Sequence, residues 1–299
     1  MGKYTAAIIL NHNDNEDTLR VASAFNAMPF IDRVAVVDNS SAAGLDGSEA
    51  ELSAPKDIFL KIRNNGYASG NNEAIRELEK KFGLPDLIII SNPDVDISPA
   101  SIQSCIDFLN SHVEFAVASP HMLKPSGERH HLAGWRERTM LCDLAYSSGL
   151  LSRSIGMYRE TYSSDYWSTP YSVVDCVTGS FFVIKGSAFK ETGFFDEHTF
   201  LFYEEDILGF KLKRHGLKEA VMNDCTFIHR EGVSAGKSIK YIKKYLAMQR
   251  SRIYFQREFK KAPFYKMIAL YAATGLGLAE NLIKTAVHST RRSQNDKSD

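Results

Sequence analysis

The chain has 299 residues, of which 44% are hydrophobic and 24% are charged, and its formal net charge is zero. These values are ordinary for a folded globular protein and exclude a largely disordered chain, and the length suits one large α/β domain or two small ones. The four cysteines include no CxxC pair, which argues against a zinc knuckle or a disulfide framework and favours small buried thiols: Cys105, Cys142, Cys176 and Cys225.

Strand and helix patterns alternate through the first half of the chain. Short apolar runs predict strands over residues 5–10, 33–37, 58–62, 87–90 and 115–119. Helices are predicted over residues 17–27 and 71–82, and a further one begins where Ser98 caps a first turn containing Pro99. Such alternation predicts right-handed βαβ units and a mostly parallel sheet, in which ligands bind beyond the carboxyl ends of the strands.

The second half is less regular. Residues 135–158 are predicted to be helical, and residues 173–184 form a strand in which Gly179 marks a kink or a close approach. An aromatic-rich loop over residues 193–205 leads into a helix that ends before Gly216. Two further helices are predicted, over residues 237–260 and 264–288.

Charge is unevenly distributed along the chain. Residues 237–299 contain 14 Lys and Arg but only 4 Asp and Glu. This surplus suits an anionic partner, such as a phosphate-bearing acceptor, a membrane surface or nucleic acid, but it equally fits a solvated helix face. The longest apolar run in this part, residues 267–279, is too short for a bilayer, which needs roughly 20 residues, so an interfacial or core helix is expected. Since the chain starts directly with a strand, no signal peptide is expected.

Two carboxylates, Asp94 and Asp96, follow the fourth predicted strand. At a spacing of two residues in an extended chain they would point to the same face, and a divalent cation between them would relieve their repulsion. Mg²⁺ or Mn²⁺ is the natural occupant, and it would bridge diphosphate oxygens. On its own a D-x-D string fits an ordinary turn at least as well.

Two further features lie where the sheet would bind a ligand. Asp38 ends the second predicted strand, where its carboxylate would accept hydrogen bonds from a base or a ribose; a turn residue is an equal alternative. The loop of residues 64–72 joins a strand to a helix and is rich in small residues, which allows a phosphate to approach the helix N-terminus. A tight strand-to-helix connection explains this loop as well.

The second half offers an acidic cluster and a histidine. Glu204, Glu205 and Asp206 precede a helical stretch, so the helix dipole alone explains them, although one of them would also serve as a general base. His229 follows a short apolar stretch, and such a lone histidine is more often structural than a ligand.

Taken in order, these strings resemble the family 2 glycosyltransferases of GT-A fold, especially their rhamnosyltransferase-like branch. The resemblance extends from about Thr5 to His229, most of the chain. No single string is decisive, and it is their order that makes the match specific: 36–40 (VVDNS), 65–72 (NGYASGNN), 92–96 (NPDVD), Gly179, 193–196 (GFFD), 200–206 (FLFYEED), His229 and Ser234.

The resemblance implies a Rossmann-like, mostly parallel sheet flanked by helices. It implies a catalytic domain over residues 1–236, with a nucleotide-binding half to residue 120 and an acceptor-binding half from residue 121, followed by a basic helical extension over residues 237–299. The reaction implied is metal-dependent, inverting transfer of a sugar from a nucleotide-diphosphate donor to a hydroxyl of a glycan or lipid-linked acceptor. The chain would be cytoplasmic or peripheral at the inner membrane face, in contact with it through the basic helices, and nucleic acid is not expected as a partner.

The resemblance also implies roles for individual residues. Metal binding falls to Asp96 and His229. Gly179 and Glu204 lie on the acceptor side. Contacts with the nucleotide sugar fall to five residues: Asp38, Asn65, Gly66, Asn71 and Asp94.

The position of the catalytic base is the one departure from the family pattern. Counting back from Gly216 without a gap selects Glu205, whereas matching residue identities selects Asp206 and requires a deletion. We favour Glu205.

Three other functions fit the sequence less well. A sugar-nucleotide nucleotidyltransferase has a similar fold, but its Gly-rich basic loop after the first strand is replaced here by residues 11–14 (NHND). A non-catalytic binding module would have no need of the acidic residues. A dinucleotide oxidoreductase lacks support because no glycine fingerprint follows the first strand.

Overall fold

The structure is a computed structural model that describes residues 4–39, 56–155, 161–230 and 239–295. The chain divides into two compact units. The sheet unit comprises residues 1–137, 161–200 and 204–232, and the helical unit comprises residues 138–160, 201–203 and 233–299. The domain boundaries drawn from the sequence, at residues 120 and 236, stay a prediction.

Strands and helices alternate through the first half, as expected. The strands are β1 (Thr5–Asn11), β2 (Arg33–Asn39), β3 (Asp57–Ile62), β4 (Leu87–Ser91), β5 (Val95–Ile97), β6 (Phe115–Leu123), β7 (Gly134–Trp135), β8 (Tyr171–Val174), β9 (Cys176–Val177), β10 (Phe181–Lys185) and β11 (Lys218–His229). The helices are α1 (Asn15–Asn26), α2 (Tyr67–Phe82), α3 (Pro99–Ser111), α4 (Met140–Ser147), α5 (Gly149–Ile155), α6 (Gly186–Glu191), α7 (Glu204–Arg214), α8 (Ile239–Tyr254) and α9 (Phe264–Asn295).

Nine strands of the sheet unit form one mixed sheet within the described ranges. Eight of them follow the order β3-β2-β1-β4-β10-β6-β11-β5, and β8 pairs with β11 beside this path. The pairs among β3, β2, β1 and β4 are parallel, as is the pair of β6 and β11. Strand β10 is antiparallel to both β4 and β6. The predicted α/β class and mostly parallel sheet are therefore confirmed.

The apolar runs that predicted the central strands are buried on both faces. Every residue of β1 and β4 is buried. Continuous rather than alternating hydrophobicity is expected where helices cover both faces of a parallel sheet. The carboxyl ends of β1, β2 and β4 consequently meet at one edge, which is where the polar strings begin.

Two predicted elements in the second half are broken in the structure. Residues 173–184 form parts of three strands rather than one, because the chain turns at residues 175 and 178–180 between β8, β9 and β10. The backbone amide of Val177 donates to the carboxylate of Glu219 at 2.8 Å, which holds this irregular segment against β11. The helical stretch 135–158 begins only at Met140 and breaks at Ser148, and its last residues lie outside the described ranges.

Polar side chains lie at the centre of the helical unit. Asp143 and Arg252 are 0% and 2% exposed. Tyr203 donates to Asp143, and Arg252 Nε donates to the Tyr203 hydroxyl at 2.8 Å. Burial raises the pKa of Asp143 above its usual range, although the nearby Arg252 opposes this. Further hydrogen bonds join the helices around this network, such as the one from the Ser148 hydroxyl to Glu280 at 2.6 Å.

The two predicted C-terminal helices are present. Helix α8 continues into a π-helical turn, Phe255–Phe259, and α9 extends beyond the predicted end at residue 288. In the part of the chain that the structure describes, no helix combines the length and hydrophobicity needed to cross a bilayer.

Candidate active site

Asp38 lies fully buried at the carboxyl end of β2. It pairs in register with Asn11 of β1 on one side and with Lys61 of β3 on the other. The next residue, Asn39, donates from Nδ2 to the carbonyl of Gly66 at 3.3 Å. The end of β2 is thereby attached to the loop that precedes α2, so two of the predicted donor-binding strings adjoin.

The loop before α2 requires glycine for a structural reason. Gly66 has φ of +106°, and a Cβ at this position would lie 2.3 Å from the carbonyl oxygen of Phe200. The neighbouring Tyr67 amide donates to the same carbonyl at 3.1 Å. Gly66 thus allows a close approach of the Phe200 backbone, and the approach of a ligand phosphate to this loop stays a prediction.

The two asparagines predicted beside Gly66 differ in position. Asn65 is exposed, whereas Asn71 is fully buried within α2. Nδ2 of Asn71 donates to the carbonyl of Tyr67 at 3.0 Å, one turn earlier in the same helix. Asn65 is thus the more accessible of the two to a ligand.

Asp94 and His229 are brought together by strand pairing. The short strand β5 pairs antiparallel with the end of β11, with Val95 opposite His229. Nε2 of His229 lies 3.2 Å from Oδ1 of Asp94. The amide of Arg230 donates to the carbonyl of Asp94 at 2.9 Å, which fixes the backbone of this turn.

Asp96 makes a different set of contacts. Its Oδ1 lies 2.6 Å from Nη1 of Arg20, and its Oδ2 lies 3.2 Å from Nε of Arg230. Arg20 also donates to the carbonyls of Pro93 and Val95 at 3.3 and 3.2 Å. The side chain of Asp96 therefore forms part of a network of arginine contacts around the D-x-D turn.

Asp94 and Asp96 are expected to point to the same face, but their carboxylates contact different side chains. Two-residue alternation applies to extended chain, but Asp94 lies in a turn and only Asp96 lies within β5. His229 contacts Asp94, whereas the resemblance implies that His229 and Asp96 bind the metal together. The metal-ligand role of Asp96 stays a prediction, and the contacts favour Asp94 in its place.

Asp14 is a residue near Asp94 for which the sequence gives no signal of a role in the site. Burial raises its pKa above the usual range, and the negative charge of Asp94 raises it further. Asp14 and Asp94 thus lie close enough for their charges to influence each other. Within the described residues, no group of three or more His, Cys, Asp or Glu side chains has the arrangement of a complete metal site.

The three acids at the start of α7 have distinct surroundings. Asp206 is 3% exposed and accepts from the indole Nε1 of Trp135 at 3.0 Å. Glu204 is likewise 3% exposed. Glu205 is only half-buried, and its carboxylate lies against the backbone of Gly179. Of the three, Glu205 is the acid that solvent or a substrate reaches.

Gly179 is required by its contact with Glu205. A Cβ at residue 179 would lie 2.1 Å from Oε1 of Glu205. The carbonyl of Gly179 accepts a hydrogen bond from the hydroxyl of Tyr67 at 2.7 Å. Burial raises the pKa of Tyr67 well above its usual range, and the charges of Glu205 and Glu204 raise it further, so its hydroxyl remains a donor.

The base candidate and the D-x-D turn are connected through neighbouring loops. The amide of Asn92 donates to the carbonyl of Ser180 at 2.8 Å, and Phe181 pairs with Ser91 across β10 and β4. The turn that carries Asp94 therefore adjoins the turn that carries Gly179. The roles of Tyr67 and Trp135 had no signal in the sequence, because each depends on a partner far away in the chain.

Comparison with known proteins shows similarity in sequence and in fold. No family model matches the chain. It is 25% identical over 232 residues to the low-salt glycan biosynthesis hexosyltransferase Agl10 of Haloferax volcanii, covering 76% of this chain and 67% of that protein. It is 24% identical over 219 residues to the N-acetylglucosaminyl-diphospho-decaprenol L-rhamnosyltransferase of Mycobacterium tuberculosis, covering 68% of each.

A solved structure supports the fold assignment. The crystal structure of GalNAc-T7 with UDP, GalNAc and Mn²⁺ superimposes with a TM-score of 0.59 at 14% identity. The match covers 91% of this chain and 54% of the GalNAc-T7 chain. The chain therefore spans about two thirds of the two curated relatives and about half of this structural neighbour.

Proposed function

We propose that the chain is a rhamnosyltransferase-like family 2 glycosyltransferase of the GT-A fold. It transfers a hexose or rhamnose from a nucleotide-diphosphate donor to a hydroxyl of a glycan or lipid-linked acceptor, with inversion. The observation that carries this proposal is the adjacency of two turns, one bearing Asp94 beside His229 and the other bearing Gly179 against Glu205. Assembly of a cell-surface polysaccharide is the process that fits the curated relatives.

Donor binding is assigned to the sheet edge formed by β1, β2 and β4. Asp38 at the end of β2 accepts hydrogen bonds from the base or ribose, and Asn65 and Gly66 line the adjoining loop. Asn71 supports the start of α2 through its bond to Tyr67. Ligand binding at this edge is the general behaviour of open parallel sheets.

A divalent metal, Mn²⁺ or Mg²⁺, fits the pair formed by Asp94 and His229. A carboxylate oxygen and an imidazole nitrogen lie 3.2 Å apart here, both part-buried, and they would serve as two protein ligands of the metal. Mg²⁺ commonly binds through one or two protein ligands and completes its shell with substrate phosphates and water, so a complete protein cage is not required. When bound, the metal neutralises charge that develops on the departing diphosphate.

Glu205 acts as the general base in this proposal. Its carboxylate accepts the proton of the acceptor hydroxyl as that oxygen attacks the anomeric carbon from the face opposite the diphosphate. The new bond forms between the acceptor oxygen and the anomeric carbon, while the bond from that carbon to the diphosphate oxygen breaks and the nucleoside diphosphate leaves. Asp206 is the alternative base, but it is buried and bonded to Trp135.

The acceptor is assigned to the side of Gly179 and Glu204. A lipid-linked diphosphate acceptor fits the surplus of cations in residues 237–299. The same surplus fits peripheral contact of the basic helices with the inner face of the membrane that contains this acceptor. The sugar-nucleotide nucleotidyltransferase alternative is not favoured, because both curated relatives are glycosyltransferases.

A panel of nucleotide-diphosphate sugars tests the proposal. The purified chain is incubated with each sugar, with Mn²⁺, Mg²⁺ or a chelator, and release of nucleoside diphosphate is measured with and without a polyprenyl-diphosphate glycan acceptor. Acceptor-stimulated and metal-dependent release from one donor is expected. Release of pyrophosphate from a nucleoside triphosphate and a sugar phosphate, with no turnover of any sugar nucleotide, would replace this function with the nucleotidyltransferase one.

A further inference from the structure

Helix α9 exposes a row of large apolar side chains. Six of them have half or more of their surface exposed: Phe264, Tyr265, Ile268, Tyr271, Leu282 and Ile283. At 100° per residue they occupy one side of the helix, together with the small exposed residues 272, 275 and 279. The opposite side carries Met267, Leu270 and Ala273, which are buried in the helical unit. We call the exposed side the outer face of α9.

The outer face is unusual for a helix in contact with water. A surface helix normally presents charged and polar residues opposite its buried stripe. Between Lys266 and Glu280, however, α9 contains no charged residue. Contiguous exposed apolar surface of this kind marks a binding site for another surface.

The charges around the outer face select its partner. Lys260, Lys261 and Lys266 precede or begin α9, and Lys284 follows the apolar row. Residues 237–299 carry 14 cationic and 4 anionic side chains in all. Pairing of two copies through residues 237–299 would bring a surplus of ten positive charges against an equal surplus, whereas a membrane with anionic headgroups attracts this surplus.

The composition of the outer face also fits an interfacial position. Tyr265 and Tyr271 have apolar rings and a polar hydroxyl, a combination favoured at the level of lipid headgroups. Aliphatic Ile268, Leu282 and Ile283 provide the surface that enters the acyl boundary. The apolar run of residues 267–279 is too short to span a bilayer, so the helix would lie along the membrane plane.

We infer that the outer face of α9 inserts into the headgroup region of an anionic membrane, to which the cationic surplus of residues 237–299 attracts the chain. This inference rests on the proposed function, because a lipid-linked acceptor is presented at such a surface. It goes further than charge attraction, since insertion of apolar side chains predicts binding that persists after salt has screened the lysines.

Vesicle sedimentation of the full chain tests the inference. The vesicles contain 30% phosphatidylglycerol in phosphatidylcholine. Binding is measured at low salt, where the electrostatic screening length is about 30 Å, and at 0.5 M NaCl, where it is about 4 Å. The wild-type chain is expected to bind in both. The double variant Ile268→Glu, Tyr271→Glu is expected to bind about tenfold or more weakly. Val113→Glu, which changes an exposed valine of the sheet unit, is the matched control and should bind like the wild type.

Two further measurements keep the outcome interpretable. Circular dichroism and thermal melting check that the double variant is folded, and metal-dependent hydrolysis of the donor sugar checks the active site without any membrane. Intact hydrolysis with lost vesicle binding supports the inference, whereas absent hydrolysis in the wild type counts against the proposed function alone. Equal vesicle binding by the double variant and the wild type overturns the inference. The inference is also overturned if the wild-type chain is a dimer that does not bind vesicles and the double variant is a monomer.

Discussion

Nε2 of His229 lies 3.2 Å from Oδ1 of Asp94. This contact forms because antiparallel pairing of β5 with β11 places Val95 opposite His229. The other carboxylate of the D-x-D string, Asp96, lies 2.6 Å from Nη1 of Arg20. A carboxylate already paired with two arginines is a poor ligand for a cation, because their positive charges oppose its approach.

Asp94→Asn and Asp96→Asn are therefore expected to differ. Asp94→Asn removes the charge of the proposed metal ligand and should lower kcat/KM for transfer by about 100-fold or more, with a higher Mn²⁺ concentration needed for half activity. Asp96→Asn should retain the Mn²⁺ requirement of the wild type, with a loss of about tenfold or less through loosening of the turn. Metal titration of donor hydrolysis measures both. A Mn²⁺ requirement shifted by Asp96→Asn alone would return the metal to Asp96.

Glu205→Gln is expected to abolish transfer while leaving donor binding nearly intact. Loss of a general base lowers kcat by about 10²–10⁴-fold, and the amide keeps the shape of the side chain against Gly179. Binding of the nucleoside diphosphate, measured by calorimetry, should change by less than about threefold because Glu205 is assigned to the acceptor hydroxyl.

Asp206→Asn is the matched control for the base. It retains an acceptor for the Trp135 indole, so a modest change in stability and retained transfer are expected. Full turnover by Glu205→Gln together with inactivity of Asp206→Asn would assign the base to Asp206.

Gly179→Ala is expected to impair catalysis more than donor binding. The added Cβ would lie 2.1 Å from Oε1 of Glu205, so the carboxylate must move. Displacement of a base by about 1 Å is expected to lower kcat by roughly 100-fold. Gly275→Ala is a suitable comparison, because a Cβ at residue 275 meets no atom within 4 Å. An unchanged kcat in Gly179→Ala would contradict the assigned position of the base.

Glu219 makes stability depend on pH. Burial raises its pKa well above the usual 4.5, and the charges of Asp175, Glu205 and Asp206 raise it further. A carboxyl group with a higher pKa in the folded than in the unfolded protein contributes its full stability below the unfolded pKa and loses it as pH rises through the folded pKa. The free energy of unfolding is therefore expected to fall as pH rises from 4.5 through the raised pKa.

Glu219→Gln removes this dependence. The amide oxygen can still accept from the Val177 amide, and no buried charge forms at neutral pH. The variant should melt higher than the wild type at pH 8, by about 2–4 °C for each kcal/mol gained, and the difference should shrink toward pH 4.5. Parallel melting curves at all pH values would show that Glu219 is not protonated in the folded chain.

The sequence by itself determined the elements whose signal is local. Runs of Ile, Val and Leu predicted β1, β2 and β4, because strands covered on both faces are apolar throughout. The order of the polar strings at the strand ends predicted the glycosyltransferase fold, and Gly216 marked the end of α7. The strand and helix-end signals, and each string by itself, depend on residues within a few positions of one another, and the order of the strings can be read along the chain without knowledge of its folding.

Only the tertiary structure decided which distant residues meet. It inserted β10 antiparallel between β4 and β6, which places Gly179 beside the D-x-D turn. Pairing of β5 with β11 places His229 beside Asp94 rather than Asp96. The Trp135 indole donates a hydrogen bond to the buried Asp206, whereas Glu205 remains accessible. The apolar run of residues 267–279 likewise did not reveal which of its sides would be exposed. Periodicity reports the environment of a residue but not the identity of its neighbours, because strand pairing and packing join segments that are remote in the chain.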